Sequence, residues 1–277
     1  HREVKISTLT FSNLTRNRKR TIVTILTMGL SCVLFVCVST VLSSVSAEDL
    51  ARRNIAEGDF HISLDYSMND KEYPENNLDT LVQQNYFSDS FLAQLSAIEG
   101  VEKIHRGHGK ISSSGNGHAL FQDYDGTPLR LSLSYFTRED LPELNKALIK
   151  GSIDYDRMTA NREIICTHEY SFDKYGLSLG DVFPLTLHDG DREIPFTAAL
   201  TALSQPERLI DLSLLIMTED TWNELGLVND PTTDIYLYAE DEQYDSVKEA
   251  LTEIAAKNEY FTLYSMDVEM RIGRATL

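Results

Sequence analysis

Residues 21–47 read TIVTILTMGLSCVLFVCVSTVLSSVSA, 27 positions without a charged side chain, 17 of them apolar. As a helix this stretch reaches about 40 Å at roughly 1.5 Å per residue, more than a hydrocarbon core of about 30 Å. Buried helices of soluble domains rarely run so long uncharged, and the apolar region of a secretion signal is typically about 7 to 15 residues. The stretch is therefore predicted to be a membrane span over 21–47. The alternative is a cleaved leader, because Val45 and Ala47 stand where small residues precede a cut before Glu48.

Working outward, the charge falls into three zones. The 277 residues hold 25 Lys+Arg against 43 Asp+Glu, a formal net charge of −18. Residues 1–20 carry +5, from Arg2, Lys5, Arg16, Arg18, Lys19 and Arg20 against Glu3, so residues 48–277 carry the difference, −23. A nucleic-acid partner is excluded, since gripping a phosphate backbone needs clustered cations on the contact face. Arg16, Arg18, Lys19 and Arg20 crowd the N-terminal edge of the span, whereas residues 48–67 place Arg52 and Arg53 among five acids. The positive-inside bias makes residues 1–20 cytoplasmic and residues 48–277 extracytoplasmic. The same four cations are the candidate headgroup and topology residues, facing the lipid bilayer. Ile6, Leu9 and Leu14 fit either a short helix in the headgroup layer or an ordinary basic flank. Within the span, Gly29, Ser31, Ser39, Thr40, Ser43 and Ser44 are small enough for close approach of other membrane helices. The chain opens at His1 without a Met, so its first twenty residues read as the middle of a longer protein.

The outer segment is predicted to be α+β. Phe60, Ile62 and Leu64 alternate with polar neighbours in a strand over 59–64. Ser88 or Asp89 caps a helix whose apolar face is Phe91, Leu92, Leu95 and Ile98; Gly100 stops it, and a strand runs from Val101 to His105. The same order recurs near the end. Ile235, Leu237 and Ala239 alternate, Tyr244, Val247, Leu251 and Ile254 mark a helical face, and Phe261–Ser265 form a strand. Two β-α-β ends, 48–106 and 231–277, are expected to join in one sheet with both helices on one face, with 107–230 inserted as a strand-rich second lobe. Strands are expected there at Glu163–Cys166, Val182–Leu187, Ile194–Leu203 and Leu212–Met217, a short helix over Arg138–Lys150, and a hairpin at Asn116-Gly117. Residues 65–87 are polar and long for a connection, hence a mobile loop or an embellishment.

Chemistry is sparse. His105 and His108 lie three apart without a predicted helix or a completing ligand, so a metal site is not expected. Asp123-Tyr124-Asp125-Gly126 resembles part of a calcium loop but lacks the closing Glu. The glycine pairs precede no helix, Ser112–Gly117 lacks the order of a nucleophile elbow, and Asp154/Asp156 and Asp189/Asp191 are short-spaced acids in an acid-rich segment. No catalytic, cofactor-binding or metal-ligating residue is assigned. Cys32 and Cys37 fall in the span and Cys166 stands alone outside it, so the outer segment has no internal disulfide to make.

The run Leu9–Thr21, with Asn13-Leu14, Arg16-Asn17 and Lys19-Arg20-Thr21 leading into the span, resembles the start of the first helix in FtsX/MacB-like ABC-transporter permeases. Lys150-Gly151-Ser-Ile-Asp154 before Glu163-Ile-Ile165, then Tyr175-Gly176-Leu-Ser-Leu-Gly180-Asp181-Val182, is similar to that family's outer-domain turns and strands. Asp234-Ile-Tyr-Leu-Tyr and the helix to Lys257 are similar to its closing strand and helix. The resemblance implies a bacterial plasma-membrane permease subunit with no catalysis of its own. It also implies a cytoplasmic ABC ATPase partner, a homodimer or paired permease half, and an outer domain between the first and second spans. Family members export or release peptides, lipoproteins or drugs, or relay signals. The chain would then be part of a larger permease, its second half if that permease is duplicated. The −23 segment is read first as a solvated acidic surface, with steering of a cationic peptide partner as the alternative. The alternative is a membrane-anchored ligand-binding or sensory module without transport; an anchored surface enzyme would need convergent acids, His or Ser.

Overall fold

The structure is a computed structural model that describes residues 18–44, 46–115, 118–123, 125–206, 213–227 and 232–276. Arg16, the stretch around Ile6–Leu14 and the hairpin at Asn116-Gly117 lie outside the described residues. Helix α1 (Arg18–Ser44) is followed by α2 (Ala47–Ala51), β1 (Phe60–Leu64), α3 (Leu78–Gln83), α4 (Asp89–Ser96), β2 (Val101–Arg106), β3 (Lys110–Gly115) and β4 (Arg130–Phe136). Next come α5 (Leu141–Lys146), β5 (Leu148–Gly151), α6 (Tyr155–Asn161), β6 (Glu163–Cys166), α7 (Glu169–Lys174), β7 (Val182–Asp189), β8 (Arg192–Ser204), β9 (Leu215–Thr218) and α8 (Glu219–Glu224). The chain continues through β10 (Asp234–Ala239), α9 (Tyr244–Ala255), β11 (Phe261–Ser265) and α10 (Met266–Thr276).

The helical run expected over 21–47 begins at Arg18 and ends at Ser44. Ile22–Ser39 within it is long and apolar enough to cross a membrane, and none of its residues is buried in the rest of the protein. The earlier end has a local cause. Ser46 Oγ accepts the Asp49 N–H at 3.0 Å, and the Asp49 carboxylate accepts the Ser46 N–H at 3.1 Å. This reciprocal cap satisfies donors at the start of a new helix, so Ala47 opens α2 and does not close α1.

The two ends of the outer segment meet in one antiparallel sheet of order β11-β1-β10-β2. Strand β1 lies between β11 and β10, with His61 opposite both Tyr236 and Tyr264. One face is apolar: Phe60, Ile62, Leu64, Ile235 and Leu237 pack with Leu95 of α4 and with Val247 and Leu251 of α9. The period-two and helical patterns of the sequence both point into this cluster, and they place the two helices on one face. The other face carries His61, Ser63, Asp234, Tyr236 and Tyr264.

Residues 110–218 supply a seven-stranded sheet of order β5-β8-β6-β9-β4-β3-β7, in which β7 also pairs back onto β8. Strand β8 makes this closure possible by its 13-residue length: Arg192–Ala199 pair with β7, and the stretch from Ala199 onward pairs with β6 and β5. Ile111, Leu133, Ile164, Cys166, Phe183, Phe196 and Leu215 fill the enclosed side. A second cluster of Phe136, Leu144, Tyr155, Met158, Ile165 and Ile216 seats α5 and α6 outside it.

One expectation needs correcting. The helix placed over Arg138–Lys150 is a 3-10 turn at Arg138–Asp140, then α5, then β5. Residues 148–151 leave the helix because they pair with β8, Leu148 opposite Ser204 and Gly151 opposite Ala202. Of the two readings of residues 65–87, the structure shows the embellishment, a built strap. Asn77 Oδ1 accepts from Ser67 Oγ at 2.8 Å and from the Asp70 N–H at 2.9 Å, and Leu78 and Leu81 of α3 are buried. Strands β3 and β4, reading KISSSG and RLSLSYF, escaped the sequence reading because three consecutive serines in the first and alternate serines in the second dilute their apolar signal. Of the strand expected over Leu212–Met217, Leu212 lies outside the described residues and pairing begins at Leu215.

Candidate functional site

The candidate site is the stalk that follows the apolar helix α1. Helix α2 packs against α10, and the approach is close at Gly273, where an added Cβ would sit 2.8 Å from the Ala47 carbonyl oxygen. Beyond α2, Arg52 Nη1 donates to the Gly58 carbonyl at 2.8 Å. Gly58 has φ +70°, and a Cβ there would lie 2.5 Å from Leu237 O, so only glycine lets the connection lie flat on β10. The Met266 N–H donates to Asp59 O at 2.9 Å, tying the start of α10 to the same turn.

A polar relay runs from this stalk into both sheets. Asn54 Nδ2 donates to Glu269 Oε2 of α10 at 2.7 Å. The Asn54 backbone carbonyl faces His61 Nδ1 at 2.5 Å, and His61 Nε2 meets Asp234 Oδ1 at 2.9 Å. Asp234 Oδ1 also accepts from Ser63 Oγ at 3.0 Å, and its Oδ2 accepts from Lys110 Nζ at 2.6 Å and Thr233 Oγ1 at 2.6 Å. Lys110 is the first residue of β3, so the relay ends in the seven-stranded sheet. Its inner part is sealed from water, Asp234 being 4% exposed, His61 7% and Lys110 7%, whereas Asn54 at the stalk end is exposed. The His61 ring lies between those of Tyr236 and Tyr264, with centroids 4.6 and 5.4 Å away.

The relay sits where the chain passes between the sheets. Residues 106–109 run out beside 232–235 on their way back: Gly107 N donates to Asp234 O at 2.8 Å, Gly109 bridges to Thr232, and Thr232 Oγ1 donates to Gly107 O. Burial pushes the Asp234 carboxyl up, but the Lys110 ammonium and the His61 bond outweigh it and hold the group well below the ordinary carboxylate range. Burial, with the nearby Glu269, Asp65 and Asp234 charges, pushes the Tyr264 hydroxyl up.

The residues singled out in the sequence are dispersed. Lys19 and Arg20 are exposed in the first turns of α1, which Arg18 opens. Gly29 has open space around it, and the Ser31 hydroxyl donates to Thr27 O of its own helix at 2.8 Å. Ser39 is half-buried, and Ser43 falls in the last turn of α1. His105 pairs with Glu57, His108 Nε2 with Asp140 Oδ2 at 3.0 Å, and His118 accepts the Leu120 N–H, so the three rings do not converge. Among the described residues no three His, Cys, Asp or Glu side chains gather as a metal set. Asp123 and Asp125 hold a turn, the latter accepting the Thr127 N–H at 2.9 Å. Asp154 caps α6 while Asp156 pairs with Arg138. Cys166 is fully buried, and burial pushes its thiol up.

Sequence reasoning missed His61, Lys110 and Asp234. The alternation of β1 did put His61 on the face away from the core; nothing in the order of residues shows that Asn54, Asp234 and two tyrosines cover that face.

No family model matches the chain, and no curated protein matches it. Solved structures do. The chain is similar to the extracellular domain of a noncanonic ABC-type transporter, YknZ, from Gram-positive bacteria, at 14% identity and TM-score 0.34, over 73% of this chain and 98% of that one. It is similar to the periplasmic region of MacB from Actinobacillus actinomycetemcomitans at 13% identity and TM-score 0.38, over 82% of this chain and 97% of that one.

Proposed function

We propose that residues 18–276 are the first membrane span and extracytoplasmic domain of an FtsX/MacB-like permease, a non-catalytic subunit of an ABC transporter in a bacterial plasma membrane. Its partners are a cytoplasmic ATPase and a second permease copy or paired half. The observation that carries this reading is the stalk: α2 follows the apolar helix and is seated on α10, and both are tied to β1 and β10. A displacement of the span relative to the lipid is thereby handed to the sheets as a rigid-body movement. Its use is to export or release a peptide, lipoprotein or drug, or to relay a signal.

The sequence motifs support the same reading at the level of backbone. Gly151, Gly176 and Gly180, which carry the resemblance, have φ of +83°, +63° and +91°, the left-handed geometry that only glycine adopts at little cost. The four-stranded sheet is read as a lobe made of 48–106 and 231–277, with 107–230 as the inserted lobe. The −23 charge of the outer segment favours a cationic peptide by long-range attraction, which salt screens. The test is co-purification of the full-length protein from its own membrane: an ABC ATPase in the complex is the expected result. A complex holding no ATPase would move the reading to an anchored ligand-binding or sensory module.

A further inference from the structure

Histidine 61 is bonded in a way that a neutral ring cannot satisfy. Its Nδ1 faces the Asn54 carbonyl at 2.5 Å and its Nε2 faces Asp234 Oδ1 at 2.9 Å. A carbonyl only accepts, and so does an ionised carboxylate; a neutral imidazole has one N–H, an imidazolium two. The faces of Tyr236 and Tyr264 on either side of the ring also favour a cation. The opposing influences are burial and the Lys110 ammonium, which shares Asp234 with it.

We propose that His61 is the proton-operated link of a latch: as an imidazolium it ties Asn54 of the stalk to Asp234 and so to Lys110 of the seven-stranded sheet, and as a neutral ring it drops one of those two bonds. Asp234 keeps Ser63, Lys110 and Thr233 whichever bond is dropped, so the loss that matters is the bond from Nδ1 to the Asn54 carbonyl, the tie between stalk and β1. The latch is closed while the ring holds both protons and loosens when it loses one. The titratable and charged groups around the ring are Asp234, Tyr236 and, one strand further, His105 from the β10–β2 side, Tyr264 from β11, Lys110 from β3, Glu269 from α10 and Tyr66 beyond β1. His105 is itself paired with Glu57, and His108 with Asp140, so a pH response must be traced to His61 by substitution. The inference concerns regulation of the stalk and rests on the permease reading for its use.

The experiment is backbone hydrogen exchange on the full chain in lipid nanodiscs, wild type against His61→Gln, between about pH 5 and about pH 8, the range in which histidine changes charge. After correction for intrinsic rates, wild-type protection at residues 50–57 and 266–270 is expected to fall about fivefold or more across that range, the factor for losing one hydrogen bond. His61→Gln is expected to show a flat profile. A flat wild-type profile overturns the latch, and so does a His61→Gln profile that follows the wild type. If the variant does not fold, ring-nitrogen NMR on the wild type decides. Two protonated nitrogens where protection is high, and one where it has fallen, uphold the latch; a singly protonated ring throughout overturns it. Neither readout involves the ATPase, so failure to find that partner leaves the latch standing, and a flat exchange profile leaves the permease reading standing.

Discussion

The two sheets solve the problem of a water-filled environment differently. The seven-stranded sheet wraps its apolar side inward by pairing β7 back to β8, and its core draws on one continuous run of chain. The four-stranded sheet is assembled from segments about 170 residues apart in the chain, β1 with β10; it hides one face under two helices and buries charged groups on the other. Closure makes a self-sufficient body. Assembly from two ends makes a body whose integrity depends on the junction, which is also where the stalk attaches.

The largest effect is therefore expected at the junction. Asp234→Ala leaves Lys110 and His61 buried without their counter-charge, a loss of about 3–5 kcal/mol, read by denaturant unfolding of the full chain. The same group sets an acid limit. Its folded-state value is depressed, so its contribution is present above the unfolded carboxylate range of about 3.9 and is lost as pH falls through the lower folded value. Unfolding midpoints should drop below about pH 4 in the wild type more than in Asp234→Ala. Equal slopes would mean that another carboxylate governs acid unfolding.

Core truncations sharpen the comparison next. Leu251→Ala and Leu133→Ala, one in each cluster, should each cost about 2–5 kcal/mol. If the sheets are separate cooperative units, Leu133→Ala speeds amide exchange in β3 and β4 and leaves β1 and β10 protected. Spread of the effect to both sheets would erase the distinction. Smaller still is Gly151→Ala, where a Cβ would lie 2.1 Å from Thr201 O at φ +83°; about 1–3 kcal/mol of strain is expected, confined to the β5–β8 pairing. At the bottom is Arg138→Ala, on the exposed pair with Asp156, for which no measurable change in unfolding midpoint is expected because solvent screens such pairs.

What the sequence disclosed follows from the range over which its signals act. The apolar helix and the strands and helices of both ends rest on local periodicity, since Phe60-Ile62-Leu64 or Val247-Leu251 needs only its own neighbours to declare a face. Strands β3 and β4 did not declare themselves, because their serines are taken up by partners elsewhere in the chain, Ser113 by Leu131 O, Ser114 by His188 and Ser134 by the Ser213 N–H, a fact of tertiary placement. The relay was hidden for the same reason in stronger form: His61, Lys110 and Asp234 come from three separate stretches, and each alone is an ordinary polar residue in a strand. Residues 148–151 read as helix because their pairing partner is more than fifty positions away.

The fresh helical start at Ser46 bears on what kind of movement reaches the domain. One rod running unbroken from bilayer to sheet would carry torque about its own axis as faithfully as push and pull along it. Here α2 begins with its own reciprocal cap and is seated through Gly273 against a second helix, so its direction is set by α10 and not by continuation of α1.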